Sequence, residues 1–251
     1  MQEIRPAGFQ VLPAVIKNII IINVIMVLLS LTLFSTLHID LADYLGLHYW
    51  RSGLFRPWQL VTHMFMHGSA DPRALQGTMM HIFFNMFGLW KVGATLENAW
   101  GPRRFLIFYF FCGIGAALCQ IGVQAIQIEP DLHKLSQVMP WAEIKQQYLS
   151  TTPASDTKWA LIDSGMVGAS GAIFGVLFAF AYMFPNVIFY FGFFLPIKAK
   201  YFVAIYAAIE LFSGLRPSVG DNVAHFAHLG GMLFGFILLK IWQLQYRRRL
   251  Y

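Results

Sequence analysis

The stretch from Gly165 to Phe184, GMVGASGAIFGVLFAFAYMF, contains no charged residue and has the length that a helix needs to cross a bilayer, about 20 residues. The rest of the 251-residue chain is similarly apolar, with 57% hydrophobic and only 12% charged residues. Ordinary soluble domains have about 25% charged residues. The sequence therefore predicts an integral membrane protein, and the spans leave too few residues for a large soluble domain.

Six apolar stretches predict an all-α, polytopic bundle that forms a single integral-membrane domain over residues 1–251. They cover approximately residues 15–37, 79–96, 104–126, 165–184, 201–214 and 223–244. The first stretch lacks a small-residue cleavage site and is interpreted as a retained signal anchor. The long connections are an aromatic- and histidine-rich loop at 38–78, suited to the membrane interface, and a polar surface loop at 127–162. Prolines bracket the apolar segment 186–194, which predicts an irregular connection.

In this six-span topology, basic residues are distributed unevenly between the two sides of the membrane. The side that holds both termini carries eleven of the 18 Lys and Arg residues and two acidic residues. Because cytoplasmic loops are enriched in Lys and Arg, we expect both termini in the cytoplasm. Short termini favour a bacterial inner membrane. The asymmetry also explains the net charge of +6 without a nucleic-acid partner. The two cysteines, Cys112 and Cys119, lie in an apolar run, which does not suggest a disulfide framework.

Polar side chains inside a span are costly, so each one is a functional candidate. The candidates are His81 and Asn85 in the second span, Ser170 in the fourth, Glu210 in the fifth, and His225 and His228 in the sixth. Spans two, four and six all begin on the extracytoplasmic side. Their polar residues are therefore expected at a similar depth near the outer face, where they would form one site.

Ser170 and His228 are the two residues of this set that could form a nucleophile and its base. A serine hydroxyl needs a base to remove its proton, and His228 can supply one. A serine in the first turn of a helix also lies beside free amide N–H groups and the positive helix end, which suit a developing oxyanion. The small-residue pairs Gly171–Gly175 and Gly231–Gly235 would let the two helices pack closely, which would bring the two side chains within hydrogen-bond distance.

His81 and Asn85 are spaced i, i+4 and therefore share one face of the second helix. Both side chains can donate hydrogen bonds to a negatively charged oxygen, which is worth several kcal/mol in a water-poor site. The alternative is a purely structural polar contact between helices.

Three motifs, in this order on spans two, four and six, resemble the rhomboid intramembrane serine proteases. They are H-x-x-x-N at 81–85, G-x-S-G at 168–171 and A-H-x-G-G-x-x-x-G at 227–235, and the similarity extends from about Trp58 to the sixth span. The resemblance implies a six-helix core with Ser170 as nucleophile and His228 as general base and acid. It also implies an oxyanion hole formed by His81, Asn85 and the Ser170 backbone N–H. Transmembrane segments of other proteins are the implied substrates, membrane lipid surrounds the enzyme, and no cofactor or metal ion is expected.

Further positions fit this family or depart from it. Phe174 lies where an aromatic ring can pack against the catalytic imidazole, and Glu97 and Gly101 match an E-x-x-x-G turn of the family. Trp58-Gln59 stands where the family often has Trp-Arg, which affects the expected conformation of the 38–78 loop. The positions expected to support the site are Gly168, Gly171, Phe174, Gly231 and Gly235.

No acidic third member of the catalytic group is evident from the sequence. Asp163 and Asp221 are interpreted as loop carboxylates, so we expect a dyad. Glu210 is either a polar gate residue or, in the favoured interpretation, a side chain that reaches outward to water. The fifth span, with Gly214 near its end, is predicted to be a side gate, and residues 215–222 a cap over the site.

Two other classes of protein remain as alternatives. One is a metal enzyme or transporter, because His63 and His67 are spaced i, i+4 and His225 and His228 are spaced i, i+3. No acidic residue accompanies them at ligand spacing, so interfacial hydrogen bonds are the favoured role of His63 and His67. The other is a catalytically silent rhomboid-like protein that binds and escorts membrane proteins. The presence of both nucleophile and base argues against it.

Overall fold

The computed structural model describes residues 8–68, 70–144, 165–191, 195–216 and 224–248. The described parts contain ten α-helices and one two-stranded hairpin. Most of the predicted cap at 215–222 and the predicted loop beyond Ile144 lie outside these residues.

The described helices range from four to 35 residues in length. The helices are α1 (Ala14–Leu37), α2 (Leu41–Leu45), α3 (Gln59–Thr62), α4 (Leu75–Gly88), α5 (Ala94–Trp100), α6 (Pro102–Ser136), α7 (Trp141–Ile144), α8 (Ser170–Met183), α9 (Ala199–Leu215) and α10 (His225–Arg248). Two 3-10 turns lie at His63–Phe65 and Pro72–Ala74, and a π-helical turn at Leu89–Gly93 joins α4 to α5. Strands β1 (Ile188–Phe191) and β2 (Leu195–Lys198) pair antiparallel, with Ile188 opposite Lys198.

The protein is an all-α, polytopic membrane protein, as the sequence predicted. Within the described residues, α1, α6 and the part of α10 up to Gln245 are long and apolar enough to cross a membrane. Helix α8 is apolar but shorter, with 14 residues. Large hydrophobic side chains such as Ile25 and Leu28 of α1 are exposed, as expected for a surface that faces lipid. The continuous α4–α5 unit and α9 coincide with the second and fifth predicted stretches, whose membrane crossing stays a prediction.

Several predicted boundaries differ from the structure. The fourth helix begins at Ser170 and not at Gly165, and the second begins at Leu75, before the predicted residue 79. Helix α6 continues to Ser136 with Pro130 inside it, so the predicted surface loop does not begin at 127. A proline removes one backbone hydrogen bond from a helix, and α6 continues past that loss.

Helices α6, α8 and α10 form the packed centre of the molecule. The backbones of α8 and α10 touch: a Cβ added at Gly231 would overlap the carbonyl oxygen of Gly171. On α6, Cys112 is fully buried, and both cysteines are free thiols. The close packing predicted from the glycine pairs is therefore present.

The 38–78 loop is held against the chain segment that leads into α8. Leu47 and Met166 exchange two backbone hydrogen bonds of 2.8 Å, and the Gly168 N–H donates to the His63 carbonyl over 2.9 Å. The buried Gln59 side chain accepts from the backbone N–H groups of His48 and Arg56 and donates to two carbonyl oxygens. Gln59 therefore organises the 38–78 loop. Arginine is frequent at this position in the family that the motifs resemble.

The buried Glu97 carboxylate joins α5 to the beginning of α1. It accepts hydrogen bonds of 3.0 Å from the backbone N–H groups of Val15 and Ile16. These are first-turn amides that have no partner within the helix. A negative charge at this position also interacts favourably with the positive helix end.

Candidate active site

Ser170 and His228 are in direct contact. The Ser170 Oγ lies 2.8 Å from His228 Nε2, although 57 residues separate them in sequence. Ser170 is the first residue of α8 and His228 lies in the first turn of α10. The distance allows the serine hydroxyl to donate its proton to the imidazole nitrogen.

Backbone conformation and close packing bring these two side chains together. Gly168 has φ +127°, a conformation that residues with a Cβ rarely adopt, and this turn sets the direction in which the chain enters α8. One turn further on, the Gly171–Gly231 contact holds α8 and α10 at backbone distance. A larger side chain at Gly231 would separate the helices that carry Ser170 and His228.

Phe174 fixes the plane of the His228 ring. The two rings are stacked with centroids 4.1 Å apart and planes 3° from parallel. The Tyr206 ring of α9 also packs against Phe174, with centroids 4.9 Å apart. Because Phe174 and His228 are both buried, the imidazole has little freedom to rotate.

Glu210 lies beside the histidine and does not reach outward to water as expected from the sequence. Its side chain is buried, at 4% relative exposure. Its Oε2 is 2.6 Å from His225 Nδ1 and 3.0 Å from His228 Nδ1. The contact with His228 lacks the alignment of a hydrogen bond. The earlier interpretation was wrong because sequence does not show toward which neighbour a polar residue near a helix end turns.

His81 is placed at the serine turn, and Asn85 is engaged elsewhere. A Cβ added at Gly168 would lie 3.1 Å from His81 Nε2, so the His81 ring borders the backbone next to Ser170. The Asn85 amide donates a 2.8 Å hydrogen bond to the His81 carbonyl. The structure thus brings Ser170, His228 and His81 together, while the Asn85 donor group points back into its own helix.

His67 and Asn23 support His81 from behind. The His67 and His81 rings meet edge to face at 5.1 Å, and His67 Nε2 lies 2.7 Å from Asn23 Oδ1. Burial lowers the pKa of His67 to about 3, so the ring is neutral and donates Nε2–H to Asn23. Asn23 was not among the candidates predicted from the sequence, although a polar residue within the first span is a signal of the same kind as His81.

Of the two histidine pairs considered for a metal ion, the His225–His228 pair has an acidic residue beside it. His63 and His67 are buried within the protein and make hydrogen bonds to Gln59 and Asn23, and their location at the membrane interface stays a prediction. A group that could hold a metal ion is Glu210, His225 and His228, whose ligand atoms lie within 4.8 Å of one another. A set of two imidazoles and one carboxylate suits zinc. Glu210 supplies the acidic partner that was not visible at ligand spacing in the sequence.

The fold and the site together define a polytopic membrane protein with a serine–histidine pair at the meeting point of two closely packed helices. The family described as the Rhomboid domain matches residues 54–243. The chain therefore belongs to the rhomboid family, and the resemblance noted from its motifs is confirmed.

Relatives of this chain come from bacteria and from eukaryotic organelles. It is 28% identical over 187 residues to the rhomboid protease AarA of Providencia stuartii, covering 72% of this chain and 54% of that protein. It is 28% identical over 175 residues to Rhomboid protein 1, mitochondrial, of Saccharomyces cerevisiae (68% and 41%). It is 24% identical over 179 residues to Rhomboid-like protein 16, chloroplastic, of Arabidopsis thaliana (71% and 47%). The chain spans about half the length of these relatives.

Proposed function

We propose that this protein is an intramembrane serine endopeptidase that cleaves peptide bonds in or near transmembrane segments of other membrane proteins. The observation that carries this proposal is the 2.8 Å contact between Ser170 Oγ and His228 Nε2. Membership of a family that includes a protein named a rhomboid protease adds support. No cofactor takes part in the proposed reaction.

The proposed mechanism is acyl transfer through a Ser170–His228 dyad. His228 Nε2 removes the Ser170 proton as Oγ attacks the scissile carbonyl carbon. The Ser170 backbone N–H and His81 stabilise the negative carbonyl oxygen, and Asn85 joins them once its amide turns away from the His81 carbonyl. His228 then donates the proton to the leaving amine. In the second half of the reaction it activates the water that hydrolyses the acyl-enzyme.

The substrate must expose an extended backbone to the serine. A spanning helix keeps its carbonyl groups in internal hydrogen bonds, so segments with glycine or other helix-weakening residues near one end are the preferred substrates. From the charge asymmetry we further propose cytoplasmic termini and a site that opens to the extracytoplasmic side.

Cleavage of a single-span reporter by the purified protein in detergent tests the proposal. Wild type is compared with Ser170→Ala, His228→Ala and the matched control Ser35→Ala, which alters an exposed serine of α1. Wild type and Ser35→Ala should cut, while the other two variants should lose at least about 10³-fold in kcat. Equal cleavage by all four proteins would contradict the proposal.

The Glu210–His225–His228 group keeps a metal-dependent hydrolase as the second candidate. If metal carried the reaction, a chelator would abolish cleavage and Ser170→Ala would leave it largely intact. The serine mechanism predicts the opposite pair of results. A wild-type protein that binds the reporter without cutting it would instead favour the escort function.

A further inference from the structure

We infer that Glu210 is a positioning residue for His228, so that the site operates as a Ser170–His228–Glu210 triad. This inference rests on the proposed protease function and adds to the dyad a carboxylate from a third helix, α9. The group that acts on the substrate remains Ser170, and Glu210 acts only through the imidazole.

The two imidazole nitrogens of His228 face different partners. His228 Nε2 faces Ser170 Oγ at 2.8 Å, while Nδ1 faces Glu210 Oε2 at 3.0 Å. A neutral imidazole has one N–H and one acceptor nitrogen. A carboxylate accepts only, so it favours the tautomer with the proton on Nδ1. That tautomer leaves Nε2 free to accept the serine proton.

His228 Nδ1 needs a partner of this kind. Among the residues that the structure describes, this buried nitrogen finds no aligned hydrogen bond, and leaving a buried donor unpaired is unfavourable. The Glu210 oxygen lies within hydrogen-bond distance and needs only a change of angle. Catalytic hydrogen bonds are often poorly aligned without substrate and tighten when it binds.

Glu210 is a carboxylate buried inside a membrane protein. Glu210 is 4% exposed, and a charged side chain in such a place is unfavourable unless it is paired. His225 Nδ1–H donates to its Oε2 over 2.6 Å and so fixes the carboxylate. Because an oxygen has two lone pairs, the same atom can also accept from His228.

The charge of the carboxylate matters most when His228 has taken the serine proton. The imidazole then carries a positive charge in a site with little water, and a nearby negative charge stabilises it. Replacing Glu210 with glutamine keeps the shape and an acceptor oxygen but removes this charge. The loss is therefore expected in the chemical step and not in substrate binding.

The test measures kcat and KM for reporter cleavage in four proteins: wild type, Glu210→Gln, Glu210→Asp and the control Leu211→Ala. Leu211 is the exposed neighbour of Glu210 on α9. We expect Glu210→Gln to lower kcat by about 10- to 100-fold with KM within about twofold. Glu210→Asp, which keeps the charge on a shorter side chain, should recover part of the loss, and Leu211→Ala should match wild type.

A kcat of Glu210→Gln within twofold of wild type would overturn the inference, as would a change confined to KM. If Glu210→Gln does not fold in detergent, Glu210→Asp decides: reduced kcat in a folded protein supports the positioning role, and wild-type kcat refutes it. A wild-type protein that fails to cut would instead refute the protease function itself.

Discussion

The ring of Phe174 lies flat on the imidazole of His228, with centroids 4.1 Å apart and planes 3° from parallel. This stack fixes the orientation of a side chain whose two nitrogens face Ser170 and Glu210. A rotation of the ring would move both nitrogens away from their partners. Phe174 therefore determines whether the proposed base is aligned.

Phe174→Leu is expected to lower kcat by about 2- to 12-fold, because aromatic pairing contributes about 0.5–1.5 kcal/mol beyond area burial. Leucine retains much of the apolar volume but cannot stack on the imidazole. Reporter kinetics measure the effect, and Phe178→Leu on the next turn of α8 serves as the control, since its ring packs on Tyr182 and Phe236. Equal kcat values for both variants would argue against the orienting role.

Gly231→Ala is expected to separate α8 from α10, because the added methyl group would overlap the Gly171 carbonyl. Overpacking of this kind costs about 1–3 kcal/mol, and a shift of about 1 Å between nucleophile and base can reduce the rate by about 10²-fold. Gly122→Ala on α6 is the control, since its Cβ would meet no atom within 4 Å. Thermal unfolding and kcat are measured together, and wild-type values for Gly231→Ala would contradict the packing argument.

Glu97→Gln should lower the free energy of unfolding by about 1–3 kcal/mol. Glutamine has one acceptor oxygen for the two N–H groups of Val15 and Ile16, and its own NH₂ group would face the other donor. Reversible unfolding in mixed micelles gives the free energy, with Glu143→Gln at an exposed position for comparison. The folded variant should keep its kcat, because Glu97 caps α1 and does not touch the serine. Unchanged stability would show that the cap contributes nothing.

Gln59→Ala should loosen the 38–78 loop, because it leaves the buried N–H of His48 and the N–H of Arg56 without their acceptor. Each unpaired buried group costs about 1–3 kcal/mol. Amide hydrogen exchange should accelerate in this loop, and kcat should fall because the loop holds Gly168 through His63. The exposed Gln127→Ala serves as the reference variant. Exchange at the wild-type rate would show that other contacts hold the loop.

The sequence predicted the membrane fold, the helix pairing and the contact between Ser170 and His228. These predictions depend on the lengths of the apolar stretches and on the positions of small residues. Both can be taken directly from the local sequence. The close approach at Gly171 and Gly231 has the same origin, because only glycine permits it.

Glu210 and Asn23 could not be assigned in the same way. Seventeen residues separate Glu210 from His228, and the contact depends on the rotation of α9 about its axis, which apolar periodicity does not determine. Asn23 pairs with His67, but no sequence motif contains both residues. The start of α8 at Ser170 depends on backbone bonds from the 38–78 loop to Met166 and Gly168, which are long-range interactions.

The shortness of α8 determines how deep Ser170 lies in the bilayer. Its 14 residues extend about 21 Å, whereas the hydrocarbon layer of a bilayer is about 30 Å thick. With its Met183 end at one interface, Ser170 lies roughly 9 Å beneath the other. The Ser170 hydroxyl is thus recessed in a zone that lipid tails would otherwise occupy, and the proposed hydrolysis would need a depression in the protein or local thinning of the bilayer to admit water. If the proposed protease activity holds, thicker lipids should slow turnover by deepening that recess.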